Sequence, residues 1–226
     1  MNTTIDSSTI DFPLRGEWTA LQTPAHRIPS HGTDKFAQRY AFDFIRLHGR
    51  WERAYSRSIV YHLMGQILVE DCYAWAQPIY APFNGTVVVA SDGWPDRRRL
   101  NLVRDLYKAL SKRHKSILPA IKPLAGNYVI IQSDSVFAFI AHLRCGSIRV
   151  SEHEKVASGQ LIGEVGHSGN STAPHLHFHL MDGIDPVTAH GIPCCFRYYE
   201  RWKDNAWEQV QHGIPNRLER IRLQNQ

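Results

Sequence analysis

Residues 159–180 read GQLIGEVGHSGNSTAPHLHFHL: a glycine-punctuated strand, a turn of small polar residues, and a second strand in which histidine alternates with apolar side chains. Successive side chains on a strand point to opposite faces. His175, His177 and His179 therefore share one face, and Leu176, Phe178 and Leu180 share the other. Working outward, VFAFIAHL at 136–143 predicts a strand ending in Ala141-His142-Leu143, an apolar setting in which a surface histidine is not expected. YAFDFIRL at 40–47 predicts a third strand, with Phe42 and Phe44 on one face and Ala41, Asp43 and Ile45 on the other. A carboxylate among apolar neighbours needs a partner. Imidazoles from two strands and a carboxylate from a third make the donor set of a catalytic Zn²⁺ site, with a coordination position left for water.

The remaining pattern is also mostly β. GNYVIIQS at 126–133 reads as a strand, and PIYAPFNGTVVVASDG at 78–93 reads as a strand, an Asn84-Gly85 turn and a strand over Thr86–Ala90, a hairpin signal. Short strands with glycine turns predict a mainly β, antiparallel sheet core. Residues 97–115 break the pattern: Leu102, Val103, Leu106, Tyr107 and Leu110 recur at helical spacing, which predicts an inserted basic amphipathic helix. The expected organisation is an irregular, proline-punctuated arm over 1–29, a β domain over 30–190 with insertions at about 48–77 (partly helical) and 93–125, and a C-terminal extension over 191–226 packed on the same domain as a final hairpin.

With 226 residues, 43% hydrophobic and 21% charged, the composition is globular and excludes disorder. The longest stretch without a formal charge, Cys72 to Ser91, contains Pro78, Pro82 and Gly85, so no transmembrane segment is expected. The first residues carry Asp6 and Asp11 and no apolar run, so no secretion signal is read there. Cys72, Cys145, Cys194 and Cys195 form no CxxC pair and are expected as thiols, Cys145 as a packed one. The net charge of +5 is local: residues 97–115 alone hold eight basic residues and one acid, so the rest of the chain is net acidic. That segment suits contact with a polyanion but shows no motif for specific nucleic-acid recognition. Isolated histidines at 26, 114, 153, 167, 190 and 212 read as surface residues.

The blocks SHGTDKFAQRYAFDF, IYAPFNGTVVVASDG, GNYVIIQ and AHLRCGSIRVSEHEKVASGQLIGEVGHSGNSTAPHLHFHL together resemble the lysostaphin-type (LytM-like) zinc metallopeptidases, the glycyl-glycine endopeptidase group that cuts peptide cross-links of peptidoglycan. The resemblance fades after Asp185. It implies a duplicated-hybrid-motif β fold, one zinc ion held by Asp43 and His177, and His142 and His175 flanking the reaction centre. The family's remaining ligand is a histidine four residues before the aspartate, where this chain has Arg39, expected on the same strand face as Asp43 and so a positive charge directed at the metal. His31, in the preceding loop, is the candidate replacement, with His48, His62 and His179 as weaker substitutes. The alternative is a catalytically degenerate member that binds wall peptide or regulates another hydrolase. Family resemblance implies a periplasmic or extracellular protein, against the cytoplasmic reading of the N-terminus. The VxxGQxIGxVG stretch also resembles the turn of lipoyl and biotinyl carriers, but Asn84-Gly85 lacks the lysine such carriers expose.

Overall fold

A computed structural model describes residues 8–48, 53–100 and 121–224. In chain order the strands are β1 (Ser8–Ile10), β2 (Gly16–Gln22), β3 (Phe42–Ile45), β4 (Ile67–Leu68), β5 (Pro78–Tyr80), β6 (Gly85–Ser91), β7 (Arg99–Leu100), β8 (Asn127–Ser133), β9 (Val136–Leu143), β10 (Lys155–Val156), β11 (Leu161–Glu164), β12 (Leu176–Met181), β13 (Gly191–Ile192), β14 (Cys194–Lys203), β15 (Ala206–Gly213) and β16 (Arg220–Leu223). Among the described residues one large sheet runs β1-β14-β16-β2-β3-β12-β9-β8-β6-β10, with β13 beside β12 and β15 beside β14. The fold is mainly β, and its pairings are antiparallel except for β1 on β14. β3, β12 and β9, the three strands expected to carry chemistry, are adjacent at the centre of this sheet.

Alternation explains why the centre is stable. The faces of β3 and β12 opposite the histidines carry Phe42, Phe44 and Phe178, fully buried with Phe12 and Phe196. Phe12 meets Phe44 and Phe196 edge-on at 5.0 Å, and Phe42 meets Phe196 at 5.2 Å. Such pairs add about 0.5–1.5 kcal/mol each beyond the area they bury, so the backbone under the histidines rests on a rigid aromatic floor. Phe12 and Phe196 come from the two ends of the chain, which ties both ends to the central strands.

Several expectations change. The N-terminal arm is not irregular throughout: β1 and β2 are strands of the large sheet, because Trp18, Ala20 and Ile10 bury against the same core. The C-terminal extension does form a hairpin, β14 with β15, and β16 returns to pair with both β14 and β2. Asn84-Gly85 makes no hairpin: β5 pairs with β11, and β6 with β8 and β10. Long-range pairing overrides the local signal, since Gly85 lies so close to β8 that a Cβ there would stand 2.4 Å from the Gln132 carbonyl oxygen. Asn84 instead accepts the Ser158 N–H at 2.7 Å.

Among the described residues of the 48–77 insertion are a short helix, α1 (Ile59–Leu63), and a 3₁₀ turn at Val69–Asp71. Of the predicted 97–115 helix, Arg99–Leu100 is strand, paired with Ile67–Leu68, and residues 101–115 lie outside the described residues, as does His114. A second short helix, α2 (Lys122–Ala125), leads into β8. No disulfide forms among the cysteines, and Cys145 is exposed rather than packed because it sits in the turn after β9. Among the described residues no helix is long and apolar enough to cross a membrane.

Candidate metal centre

Register brings the first two residues together. β3 and β12 are antiparallel with Asp43 opposite His177, so both side chains stand on the same face of neighbouring strands. His177 Nδ1 lies 2.9 Å from Asp43 Oδ1.

His31 joins them from a loop. It precedes a 3₁₀ segment, Lys35–Tyr40, and the loop closes on itself: the Ser30 N–H donates to the Arg39 carbonyl at 2.9 Å, and Ser30 Oγ donates to the Gln38 carbonyl at 3.2 Å. With its one hydroxyl proton so used, Ser30 Oγ accepts from His31 Nδ1 at 3.0 Å. His31 Nε2 is left to face Asp43 Oδ2 at 2.9 Å. Donor atoms of His31, Asp43 and His177 lie within 4.8 Å of one another.

Arg39 does not share the strand face of Asp43, because β3 begins only at Phe42. Its guanidinium turns outward, donates to Asp34 Oδ1 at 2.7 Å and lies 5.7 Å from the centre of the Tyr40 ring.

His142 reaches the site through a break in the strand pattern. In β9, Phe139 and Ala141 face the site while Ala138 and Ile140 face the main core. Plain alternation would send His142 into that core. Asn127 pairs with Leu143 and Tyr128 with Ala141, so His142 is the extra residue of a bulge, with φ of 62°. The bulge turns its ring back to lie 4.8 Å from that of His175 and 5.9 Å from that of His177. His142 Nδ1 donates to the Ser168 carbonyl at 3.0 Å, and His175 Nδ1 donates to the Ala173 carbonyl at 2.7 Å. A carbonyl can only accept, so each ring keeps its Nδ1 proton, and in the neutral ring Nε2 is bare. His175 Nε2 is 3.6 Å from Asp43 Oδ1.

Two glycines make the Ser168 contact possible. Gly126 and Gly169 have φ of 68° and 64°, and a Cβ on either would stand within about 2.6 Å of the other's backbone. The backbones meet directly, and Ser168 Oγ then donates to the Leu143 carbonyl while accepting the Asn127 N–H.

Electrostatics favour the ligand forms. Burial alone would push the Asp43 carboxyl up, but the surrounding imidazoles of His31, His175 and His177 hold it well below the usual carboxylate range. Burial pushes His177 down, and pushes His142 and His179 well down, with neighbouring imidazoles adding to the effect. An ionised Asp43 beside a neutral His177 is the state a metal requires of those two ligands. A cavity of about 130 Å³ opens beside these rings, lined by His142, His177 and His179 with Phe36, Gln38 and Asn170.

The other candidate substitutes stay apart. His48 bridges to Arg53, His62 Nδ1 bonds the Tyr55 hydroxyl at 2.8 Å, and His179 stands behind His177. His167 is not a surface residue: it is fully buried, its N–H donates to Asp96 Oδ1 and its Nδ1 lies 3.0 Å from Ser171 Oγ, which is itself 3.1 Å from His175 Nδ1. Ser30, Asn127, Ser168 and Ser171 were not read from the sequence as site residues. The only sequence signal for the last two is the small polar turn SGNST.

Residues 116–189 match Peptidase family M23. The chain is 34% identical over 109 residues to peptidoglycan DD-endopeptidase ShyA of Vibrio cholerae, a match covering 48% of this chain and 22% of that protein. The chain thus spans about a fifth of the length of the curated relative it matches. Among solved structures it is similar to the catalytic domain of the prophage-encoded M23 protein EnpA from Enterococcus faecalis (TM-score 0.41, 18% identity, 77% of this chain and 88% of that one). It is also similar to a zinc-containing peptidase from Vibrio cholerae (TM-score 0.41, 19% identity, 82% of this chain and 40% of that one).

Proposed function

We propose that this chain, whose residues 116–189 match Peptidase family M23, is a zinc-dependent endopeptidase that hydrolyses peptide bonds in peptidoglycan cross-links or a related peptide. One observation carries this reading: three donor atoms from three separate elements converge within 4.8 Å, and one of them comes from a loop that supplies the imidazole Arg39 cannot.

His31, Asp43 and His177 would hold one zinc ion. The donor set fits it. Ser30 occupies His31 Nδ1 and leaves the Nε2 lone pair directed at Asp43, while His177 turns Nδ1 toward the same carboxylate. Lone pairs pressed together in a low-dielectric site repel unless a proton or cation lies among them. Two neutral imidazoles and one carboxylate leave a divalent ion with a net charge of about +1. When bound, zinc supplies Lewis acidity at the scissile carbonyl.

The protein groups carry out the proton traffic. His142 and His175 present bare Nε2 atoms because backbone carbonyls hold their Nδ1 protons. Either Nε2 can take a proton from an attacking water and later give it to the departing amine. As the imidazolium forms, Asp43, 3.6 Å from His175 Nε2, and the two carbonyls stabilise its charge. The rings are buried, which excludes bulk water and strengthens these interactions.

Arg39 was the main support for a degenerate, noncatalytic module. Its guanidinium pairs with Asp34 rather than pointing at the site, which favours the catalytic reading. The test is release of new amine groups from peptidoglycan or its cross-link peptides by the purified, zinc-loaded chain. Release that disappears on chelation and returns with zinc is the expected result. Saturable peptide binding without release would favour the noncatalytic module.

A further inference from the structure

His179 is the third histidine on the site face of β12, yet it is not among the converging donors. It is 1% exposed, and its Nδ1 lies 3.2 Å from His177 Nε2. Its cross-strand partner, Phe139, stacks on the imidazole with ring centres 4.9 Å apart and planes 23° from parallel. The two histidine rings are instead nearly perpendicular, at 78°. Phe139 therefore fixes the plane of His179, and that plane aims Nδ1 at the far nitrogen of His177. Nothing in the packing of an apolar strand face needs a histidine here, and burying one costs free energy unless its polar atoms have work.

Proton counting defines that work. Only one hydrogen can lie between His177 Nε2 and His179 Nδ1. If His177 gives its Nδ1 lone pair to zinc, its own proton sits on Nε2 and donates to His179 Nδ1, so neutral His179 carries its proton on Nε2. In the opposite arrangement His179 Nδ1 donates to His177 Nε2, which puts the His177 proton on Nδ1, pointing at Asp43 and blocking the ligand position. The contact can therefore support a metal ligand or a purely structural Asp-His-His chain, but not both at once. His179 Nε2 makes no hydrogen bond among the described residues, so nothing on that side forces its proton onto Nδ1.

We propose that His179 is a positioning residue for the metal centre: by accepting the Nε2 proton of His177 it fixes the tautomer and ring orientation in which His177 Nδ1 is free to bind the metal. This rests on the zinc reading above. It assigns to His179 a role behind a ligand in place of the substitute-ligand role that the sequence allowed. Outer partners of this kind contribute about 10–100-fold in metal affinity.

The experiment uses the full chain, with zinc itself as the probe, and compares wild type, His179→Leu and His179→Asn. The Asn side-chain oxygen stands near the place of Nδ1 and can accept the same proton, whereas Leu cannot. Zinc affinity by competition with a chromophoric chelator should fall about 10–100-fold in His179→Leu and recover most of that in His179→Asn. A loss of packing alone would affect both variants alike, and equal losses would overturn the proposal. If His179→Leu does not fold, ¹⁵N-resolved imidazole spectra of zinc-loaded wild type decide: protonated Nε2 on both His177 and His179 is expected, and a protonated Nδ1 on His179 overturns it. If wild type takes up no zinc, or His177→Ala takes it up undiminished, the zinc reading itself has failed. That outcome is distinct from wild-type zinc binding that is indifferent to His179.

Discussion

His142 donates from Nδ1 to the carbonyl oxygen of Ser168 at 3.0 Å, and this one bond decides which nitrogen of His142 faces the site. Because His142 binds no metal in this account, chemistry and metal loading should separate. His142→Ala and His175→Ala are expected to keep zinc while losing peptide cleavage by roughly 10²–10⁴-fold, the usual contribution of a positioned acid–base group. Parallel metal analysis and amine-release assays check this. Loss of zinc in either variant would mean that the ring is a ligand.

Asn127 should be the most costly polar substitution near the site. It is fully buried, accepts the Trp94 N–H at 2.7 Å, and donates to the carbonyls of Trp94 at 2.8 Å and Leu143 at 3.0 Å. Asn127→Ala removes the side-chain partner of the Trp94 N–H and carbonyl and leaves the Leu143 carbonyl with Ser168 Oγ alone, at the bulge that carries His142. Urea unfolding should show a loss of about 2–4 kcal/mol, with activity falling further than zinc affinity. An effect under about 0.5 kcal/mol, the range of ordinary surface changes, would contradict the assignment.

The thiols should divide by burial. Burial pushes the Cys72 thiol up to about 12, and the nearby Asp71 and Glu70 add to it, so almost no thiolate exists at pH 8. Cys145 is exposed. Iodoacetamide on the native chain should label Cys145 and spare Cys72 and Cys194 until denaturant is added, as peptide mass spectrometry would show. Rapid labelling of Cys72 in the native state would mean that its segment opens far more readily than its packing implies.

How much of this was legible in the sequence follows from the range of each interaction. Asp43, His175 and His177 could be read because strand alternation is local and one face is apolar. That these strands lie side by side, with Asp43 opposite His177, follows from no local rule; the family resemblance implies only that the two residues share a metal. His142 was singled out for its apolar setting, but alternation would have pointed it into the core. The bulge that redirects it needs β8 as a partner and is invisible in one strand. Asn84-Gly85 misled for the converse reason: the turn signal is local, while β5 and β6 are claimed by distant strands. His167 looked isolated because its partners, Asp96 and Ser171, are brought to it only by the fold. Arg39 looked like a charge aimed at the metal because residues 39–43 were read as one strand, whereas a 3₁₀ segment ends at Tyr40.

If a loop histidine supplies the ligand that the strand lacks, zinc affinity compared across wild type, His31→Ala and Arg39→Ala will show it. Wild type should bind about one equivalent. Arg39→Ala should match it, because that guanidinium faces Asp34 and solvent. His31→Ala should lose affinity well beyond the roughly 10–100-fold that outer partners contribute. A His31→Ala protein with wild-type zinc affinity would contradict the account.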